Sequence, residues 1–262
     1  MEIIVCIKRV PNLSETEIEV DRDGRSLVDD DLEYDVSEWD NFAIEAAVQL
    51  KEAHGARVTA ITIGDEDSED VLRRALAMGA DEALHLIDAA FHGSDAWGIA
   101  TALHRAIADR PHDLVLTGAV SSDEARGHVG GMLAAMLDIP MVALATDLSV
   151  DGATATIQHE VEGGLERVTR VELPALVTVQ TGLNEPRYVS IRGIRKVSGM
   201  EILVKTAADL GLDSSTVGAG AARVKLEEIF LPARGEGAEM LDGDGESVAE
   251  ALVDRLQREG GL

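Results

Sequence analysis

Short apolar runs alternate with stretches of helical periodicity through the first 140 residues, and few folds accommodate that alternation. Residues 3–7, 57–63, 83–87 and 114–116 are runs of strand length. Between them Ile44, Ala47, Val48 and Leu50, then Val71, Leu72, Ala75 and Leu76, recur at the spacing of one helical face. Residues 94–108 and about 127–137 read as two further helices. Ser37-Glu38-Trp39-Asp40 has the form of a capping box at the head of the first helix, and Ser68 is placed to cap the second. Alternating strands and helices bury their apolar faces as a parallel sheet covered on both sides, so an α/β fold with a doubly wound, mostly parallel sheet is expected. Ligands of such sheets sit beyond the carboxyl ends of the strands, here residues 6–10, 63–64 and 118–123.

The pattern changes after Pro140. Residues 141–150, 154–161 and 167–179 alternate or run as strands, with Asp151-Gly152 as a turn signal, and predict antiparallel additions to the same sheet. Residues 182–200 are polar, basic and broken by Pro186 and glycines, as an exposed loop would be. Short strands are expected at 201–205 and 224–229, and 235–245 reads as a Gly- and acid-rich linker. From Ser247 a last helix places Val248, Leu252, Val253 and Leu256 on one face, suited to packing on a partner. The organisation expected is a nucleotide-binding domain over 1–200, including an exposed segment at 182–200, and a C-terminal arm over 201–262.

Aromatic residues make up only 3% of the chain, so the core must be aliphatic. No window approaches the roughly 18 consecutive apolar residues of a membrane span. The start, Met1-Glu2-Ile3-Ile4-Val5, lacks the basic opening and cleavage site of a secretory signal, so a cytoplasmic location is expected. A single cysteine, Cys6, excludes an internal disulfide or a multi-cysteine metal site, and its strand position reads as a small buried hydrophobe. The seven histidines show no ligand spacing, and Asp242-Gly243-Asp244-Gly245-Glu246 is only a fragment of a calcium loop, so no metal is expected. Against 49 acidic residues stand 23 basic ones, a formal charge of −26 that disfavours nucleic acid and anionic lipid.

Three motifs carry the chemistry. Residues 118–131 follow a strand and open a helix, and the glycines and the hydroxyls of Ser121 and Ser122 suit a phosphate held on helix amides. A flexible capped turn would look the same, since no strict phosphate-loop fingerprint is present. Glu160-Val161-Glu162-Gly163-Gly164-Leu165-Glu166 places carboxylates around a tight turn. Leu183-Asn184-Glu185-Pro186-Arg187-Tyr188 opens a segment whose Arg187, Arg192, Arg195 and Lys196 form the chain's one basic cluster.

Together these motifs resemble the beta subunits of electron transfer flavoproteins, along nearly the whole chain and most specifically at 183–188. The resemblance implies a heterodimer with an alpha subunit, which binds the redox FAD while this chain supplies one wall of that site. It implies an electron carrier, not an enzyme, taking electrons from acyl-CoA or other flavin dehydrogenases and delivering them to a quinone-linked or other oxidoreductase. It further implies an adenine nucleotide, AMP or a second FAD, at Cys6, Ser37, Glu38, Trp39, Asp40, Ile63, Gly118, Ser121, Ser122, Asp123, Gly127, His128 and Val129. Glu160 would lie near the redox flavin and meet an arginine of the alpha subunit. Arg187, Ile191 and Arg192 would dock dehydrogenases, with Ile191 as the apolar anchor. Two alternatives stand beside it: a bifurcating subunit whose own FAD is reduced by NADH, and a stand-alone adenine-nucleotide-binding protein.

So large a negative charge repels itself in dilute salt, whereas the Debye length falls from about 10 Å at 0.1 M to about 3 Å at 1 M. A salt-rich cytoplasm accounts for the −26 balance, an ordinary acidic protein being the alternative. The melting temperature is expected to rise between low and molar KCl; a flat profile in differential scanning fluorimetry would discard the salt-rich origin.

Overall fold

The computed structural model describes residues 1–12, 18–28, 32–233, 235, 237–238 and 240–260. They form two compact units, one from the described residues of Met1–Glu19 and Leu27–Glu227, the other from those of Val20–Ser26 and Glu228–Leu262. The first unit begins with β1 (Glu2–Cys6), β2 (Arg9–Pro11), β3 (Tyr34–Val36), α1 (Glu38–His54), β4 (Arg57–Ile63), α2 (Glu69–Met78) and β5 (Glu82–Leu86). It continues through α3 (Ala96–Ile107), β6 (Leu114–Gly118), α4 (Val129–Leu137), β7 (Met141–Asp151), β8 (Thr154–Val161) and β9 (Leu165–Glu172). It closes with β10 (Ala175–Val179), α5 (Ile191–Val197) and β11 (Leu203–Lys205).

Among the described residues one sheet has nine strands in the order β11-β5-β4-β1-β6-β10-β7-β8-β9, and β2 pairs separately with β3. From β11 to β7 every pairing is parallel, and β8 and β9 add antiparallel at the edge. Strand alternation divides the core in two. Ile3 and Val5 pack with Ile44, Val48 and Leu72 of α1 and α2, while Ile4 and Cys6 pack with Leu103, Ile107 and Leu133 of α3 and α4. The expected doubly wound α/β sheet is the observed one. Among the described residues no helix is long and apolar enough to cross a membrane.

Several local expectations differ from what forms. The run 167–179 is two strands, not one. Pro174 lacks a backbone donor, and beyond it the chain leaves the edge for β10, which lies parallel between β6 and β7. All five residues of β10 are buried, as a central strand covered on both faces requires. Neither Ser37 nor Ser68 caps its helix with its side chain. Asp65 takes the capping role at the second site, accepting from Ser68 N at 3.2 Å, because a 3-10 turn precedes α2. Residues 182–200 contain α5, started by Ser190 Oγ accepting from Gly193 N at 3.2 Å. No strand forms at 224–229, whereas β11 extends the sheet, so the first unit continues past residue 200.

In the second unit Ile229 N donates to Gly24 O at 2.7 Å. Its helix α6 (Gly245–Arg258) starts at Asp244, whose carboxylate accepts from Ser247 N at 3.0 Å. The helix buries none of its residues and exposes Leu252, Val253 and Leu256.

Candidate functional site

From β1 the chain steps outward through β4 to β5, then crosses back by α3 to β6 on the other side of β1, and such a reversal opens a crevice at the strand tips. A cavity of about 370 Å³ fills it. Its lining includes Cys6, Ile63 and Gly118 at the tips of β1, β4 and β6, Ser94, Asp95 and Ala96 at the head of α3, and Gly127, His128 and Val129 at the head of α4.

The Asp40 carboxylate sets the floor of this cavity. It stands in the first turn of α1 and reaches across, accepting from Lys8 N and from Gly118 N, each at 2.8 Å. One buried side chain thus satisfies the amides at two strand tips instead of closing the expected capping box. Gly118 is required by this approach: a Cβ there would lie 2.5 Å from Asp40 Oδ1 and 2.7 Å from Trp39 Cβ. Burial pushes the Asp40 carboxyl up to about 7, even though the amides of Gly118 and Lys8 and the Lys8 charge favour its ionised form. Burial, reinforced by Asp40, also pushes the Cys6 thiol well above its usual range, which leaves it a packing residue without thiolate reactivity.

Above the floor runs the loop between β6 and α4. Lys8 Nζ reaches both oxygens of Asp123 at 2.9 and 2.7 Å, and Glu124 at 3.5 Å. Burial pushes the Asp123 carboxyl up, but hydrogen bonds from Lys8 and Ser121 prevail and hold it below its ordinary value. Ser122 stitches the loop to α1: its Oγ accepts from Glu38 N at 3.0 Å and its own N–H donates to Ser37 Oγ at 3.3 Å. Gly127 adopts φ +62°, a left-handed turn that delivers the chain into α4. No side chain caps α4, so its first amides are donors without an intrahelical acceptor, at the cavity wall.

Of the residues anticipated from sequence, Cys6, Asp40, Ile63, Gly118, Ser121, Gly127, His128 and Val129 line the cavity. Ser37, Glu38, Trp39, Ser122 and Asp123 stand behind it as the framework just described. Sequence reasoning passed over Thr117 and Asp95, which also line it, together with Val224 and Leu226, and within the ranges 6–10 and 118–131 it singled out neither Lys8 nor Arg126, which line it too. Lys8 had a signal, being one of five lysines and directly beyond the first strand. Val224 and Leu226 had none, because they come from a segment about a hundred residues away in sequence from α4.

Chemically the cavity combines two surfaces: Ile61, Ile63, Ile99 and Leu103 contribute apolar lining, and the uncapped start of α4 offers amide donors of the kind that hold an anion. Its volume lies near the lower end of the roughly 300–1,000 Å³ of small-molecule clefts.

The other motifs lie apart from this cavity. Glu160 and Glu166 face each other across the β8–β9 hairpin, both exposed, with Gln158 Nε2 donating to Glu166. Ile191 is 73% exposed and Arg192 is exposed beside it. Arg187, expected at the docking surface with them, is instead engaged within the chain, its guanidinium paired with Glu45 and Glu52 of α1. Among the described residues no group of three or more His, Cys, Asp or Glu is arranged to hold a metal.

Residues 25–210 match the family model of the electron transfer flavoprotein domain. The electron transfer flavoprotein subunit beta of Bacillus subtilis (strain 168) is 37% identical over 260 residues, covering 99% of this chain and 98% of its own. That of Methylophilus methylotrophus is 34% identical over 257 residues, 97% of either chain. The caffeyl-CoA reductase-Etf complex subunit CarD of Acetobacterium woodii is 33% identical over 260 residues, 98% of either chain.

The raised Asp40 carboxyl carries a pH signature. Below its ordinary value of 3.8 it is protonated folded and unfolded alike; as pH rises toward about 7 only the unfolded chain ionises, so stability is lost across that window. Wild type is expected to lose stability relative to Asp40→Asn between about pH 4 and about pH 7 in urea unfolding. A constant difference across the window would mean that Asp40 stays ionised in the folded protein.

Proposed function

The chain belongs to the electron transfer flavoprotein family as a beta subunit, and from that premise we propose that it works in a heterodimer with an alpha subunit, carrying electrons from acyl-CoA or other flavin dehydrogenases to a quinone-linked or other oxidoreductase. The observation that carries the proposal is similarity to named beta subunits along 97% or more of the chain, joined to a crevice of nucleotide size at its switch point. FAD, bound chiefly by the alpha subunit, supplies the electron-accepting chemistry. This chain binds, orients and screens, and performs no bond chemistry of its own.

The crevice holds an adenine nucleotide. The α4 amides would take its phosphate, Lys8 and Asp123 keep the loop shut behind it, and the isoleucine wall takes the base. A volume of about 370 Å³ favours AMP over a dinucleotide. A second FAD with NADH-driven bifurcation is the other reading, favoured by the similarity to the caffeyl-CoA reductase-Etf complex subunit CarD.

Glu160 and Glu166 supply the electrostatics at the flavin side. Like charges directly opposite on a hairpin repel one another, and a cation from the alpha subunit relieves that repulsion. An exposed carboxylate pair of this kind steers a mobile flavin-bearing domain, with an influence that weakens as salt rises.

Denaturing the complex co-expressed with its alpha subunit and separating the released nucleotides by chromatography is expected to yield one FAD and one AMP per heterodimer. Two FAD would replace the simple carrier by the bifurcating one, and a nucleotide-bound homodimer lacking an alpha subunit would overturn both. Glu160→Gln is expected to slow electron transfer several-fold at low salt and to flatten its salt dependence. Rates unchanged at every salt concentration would make Glu160 an ordinary solvated carboxylate.

A further inference from the structure

The segment after β10 carries more fastening than a surface connection needs. Arg187 donates to the Glu45 carboxylate from Nε at 2.8 Å, from Nη2 at 3.0 Å and from its backbone N–H at 3.1 Å. The same guanidinium reaches Glu52 from Nη1 at 2.8 Å and from Nη2 at 3.1 Å. Glu45 is buried on the core side of α1, its side chain only 4% exposed, so this pair escapes most screening by salt. Asn184 Nδ2 adds a bond to Phe42 O at 3.0 Å.

The other end is fastened independently. Arg73 of α2 donates from Nη1 to the carbonyls of Val197 at 3.1 Å and Met200 at 2.6 Å, closing the end of α5 where helix carbonyls lack partners. Its Nε donates to Glu69 at 2.9 Å, which fixes the guanidinium in turn. Between the two clamps Tyr188 is 90% exposed and Ile191 73%. Arg192, Arg195 and Lys196 are exposed around them and form no ion pair with a described residue.

We propose that Arg187 and Arg73 are positioning residues that hold residues 184–200 in the docking conformation before a partner arrives, so that Tyr188 and Ile191 meet an apolar, acid-rimmed pocket of a flavin dehydrogenase already in place. This rests on the carrier function proposed above and on the docking role that the family resemblance implies for Ile191. A segment ordered in advance loses little conformational freedom on binding, and what it saves appears as affinity. The planar fork of arginine suits both tasks, since one side chain here satisfies two carboxylates or two carbonyls.

The test uses the complete heterodimer reduced by an acyl-CoA dehydrogenase of the same cell. Arg187→Ala would leave Glu45 buried without its partner and endanger folding, so Arg187→Lys and Arg73→Gln are the variants, with Ile191→Ala alongside. Both clamp variants are expected to raise KM for the carrier about tenfold with kcat within about twofold, and to speed amide exchange at residues 188–197 about tenfold, with flavin content unchanged. A raised KM in Ile191→Ala with unchanged KM in both clamp variants overturns the positioning role while docking stands. A loss confined to kcat overturns it too. An unchanged KM in Ile191→Ala removes the docking role itself, and the positioning role with it.

Discussion

The Asp40 carboxylate is the contact on which the candidate site depends. Two parallel strand tips end in amides with no further strand to receive them, and both are satisfied by this one buried side chain. The cost is an ionisable group in a poorly solvated place, visible in a carboxyl raised to about 7. In return the head of α1, the tip of β1 and the tip of β6 become one rigid floor, with Ser37 N also donating to Lys8 O at 2.9 Å. The loop above inherits its position from that floor, through Lys8 to Asp123 and through Ser37 and Glu38 to Ser122.

Charge is handled differently in different parts of the first unit. Among its described residues most carboxylates face solvent, but Glu45 lies inside and needs Arg187 directly against it. Burial pushes the Glu45 carboxyl up, and hydrogen bonds from Arg187 and Gln49 overcome this and leave it below its ordinary value. That demand explains why an arginine that sequence places in an exposed basic cluster is turned inward. The cations left outward on α5 are then the contrast a partner can read on an acidic surface. Glu160 and Glu166, opposed without an intervening cation on the hairpin, are the converse case.

Much of the architecture was legible because strand and helix periodicities are local properties. Four apolar runs and the helices between them predicted β1, β4, β5 and β6 of the parallel part of the sheet, whereas β7 and β10, expected as antiparallel additions, pair parallel with each other; residues 118–131 form the strand-to-helix passage expected of them. The insertion of β10 was not legible. Nothing within residues 175–179 says that they will leave the neighbouring β9 and enter the sheet between β6 and β7. Asp40 was read as a capping residue for a similar reason: its local spacing fits a cap, while the amides it serves belong to residues 8 and 118.

The sequence by itself determined the α/β class, the crevice at the strand tips and, through its motifs, membership of the electron transfer flavoprotein family. These follow from periodicity and from residue types at short spacing, which the chain carries along its length. Only the tertiary structure decided which side chains share a cavity, that Lys8 and Asp123 meet across 115 positions, and that Arg187 pairs with the buried Glu45. Such pairings are set by burial. A carboxylate removed from water must find a donor wherever the packing of distant elements brings one within reach, and no local pattern records where that will be.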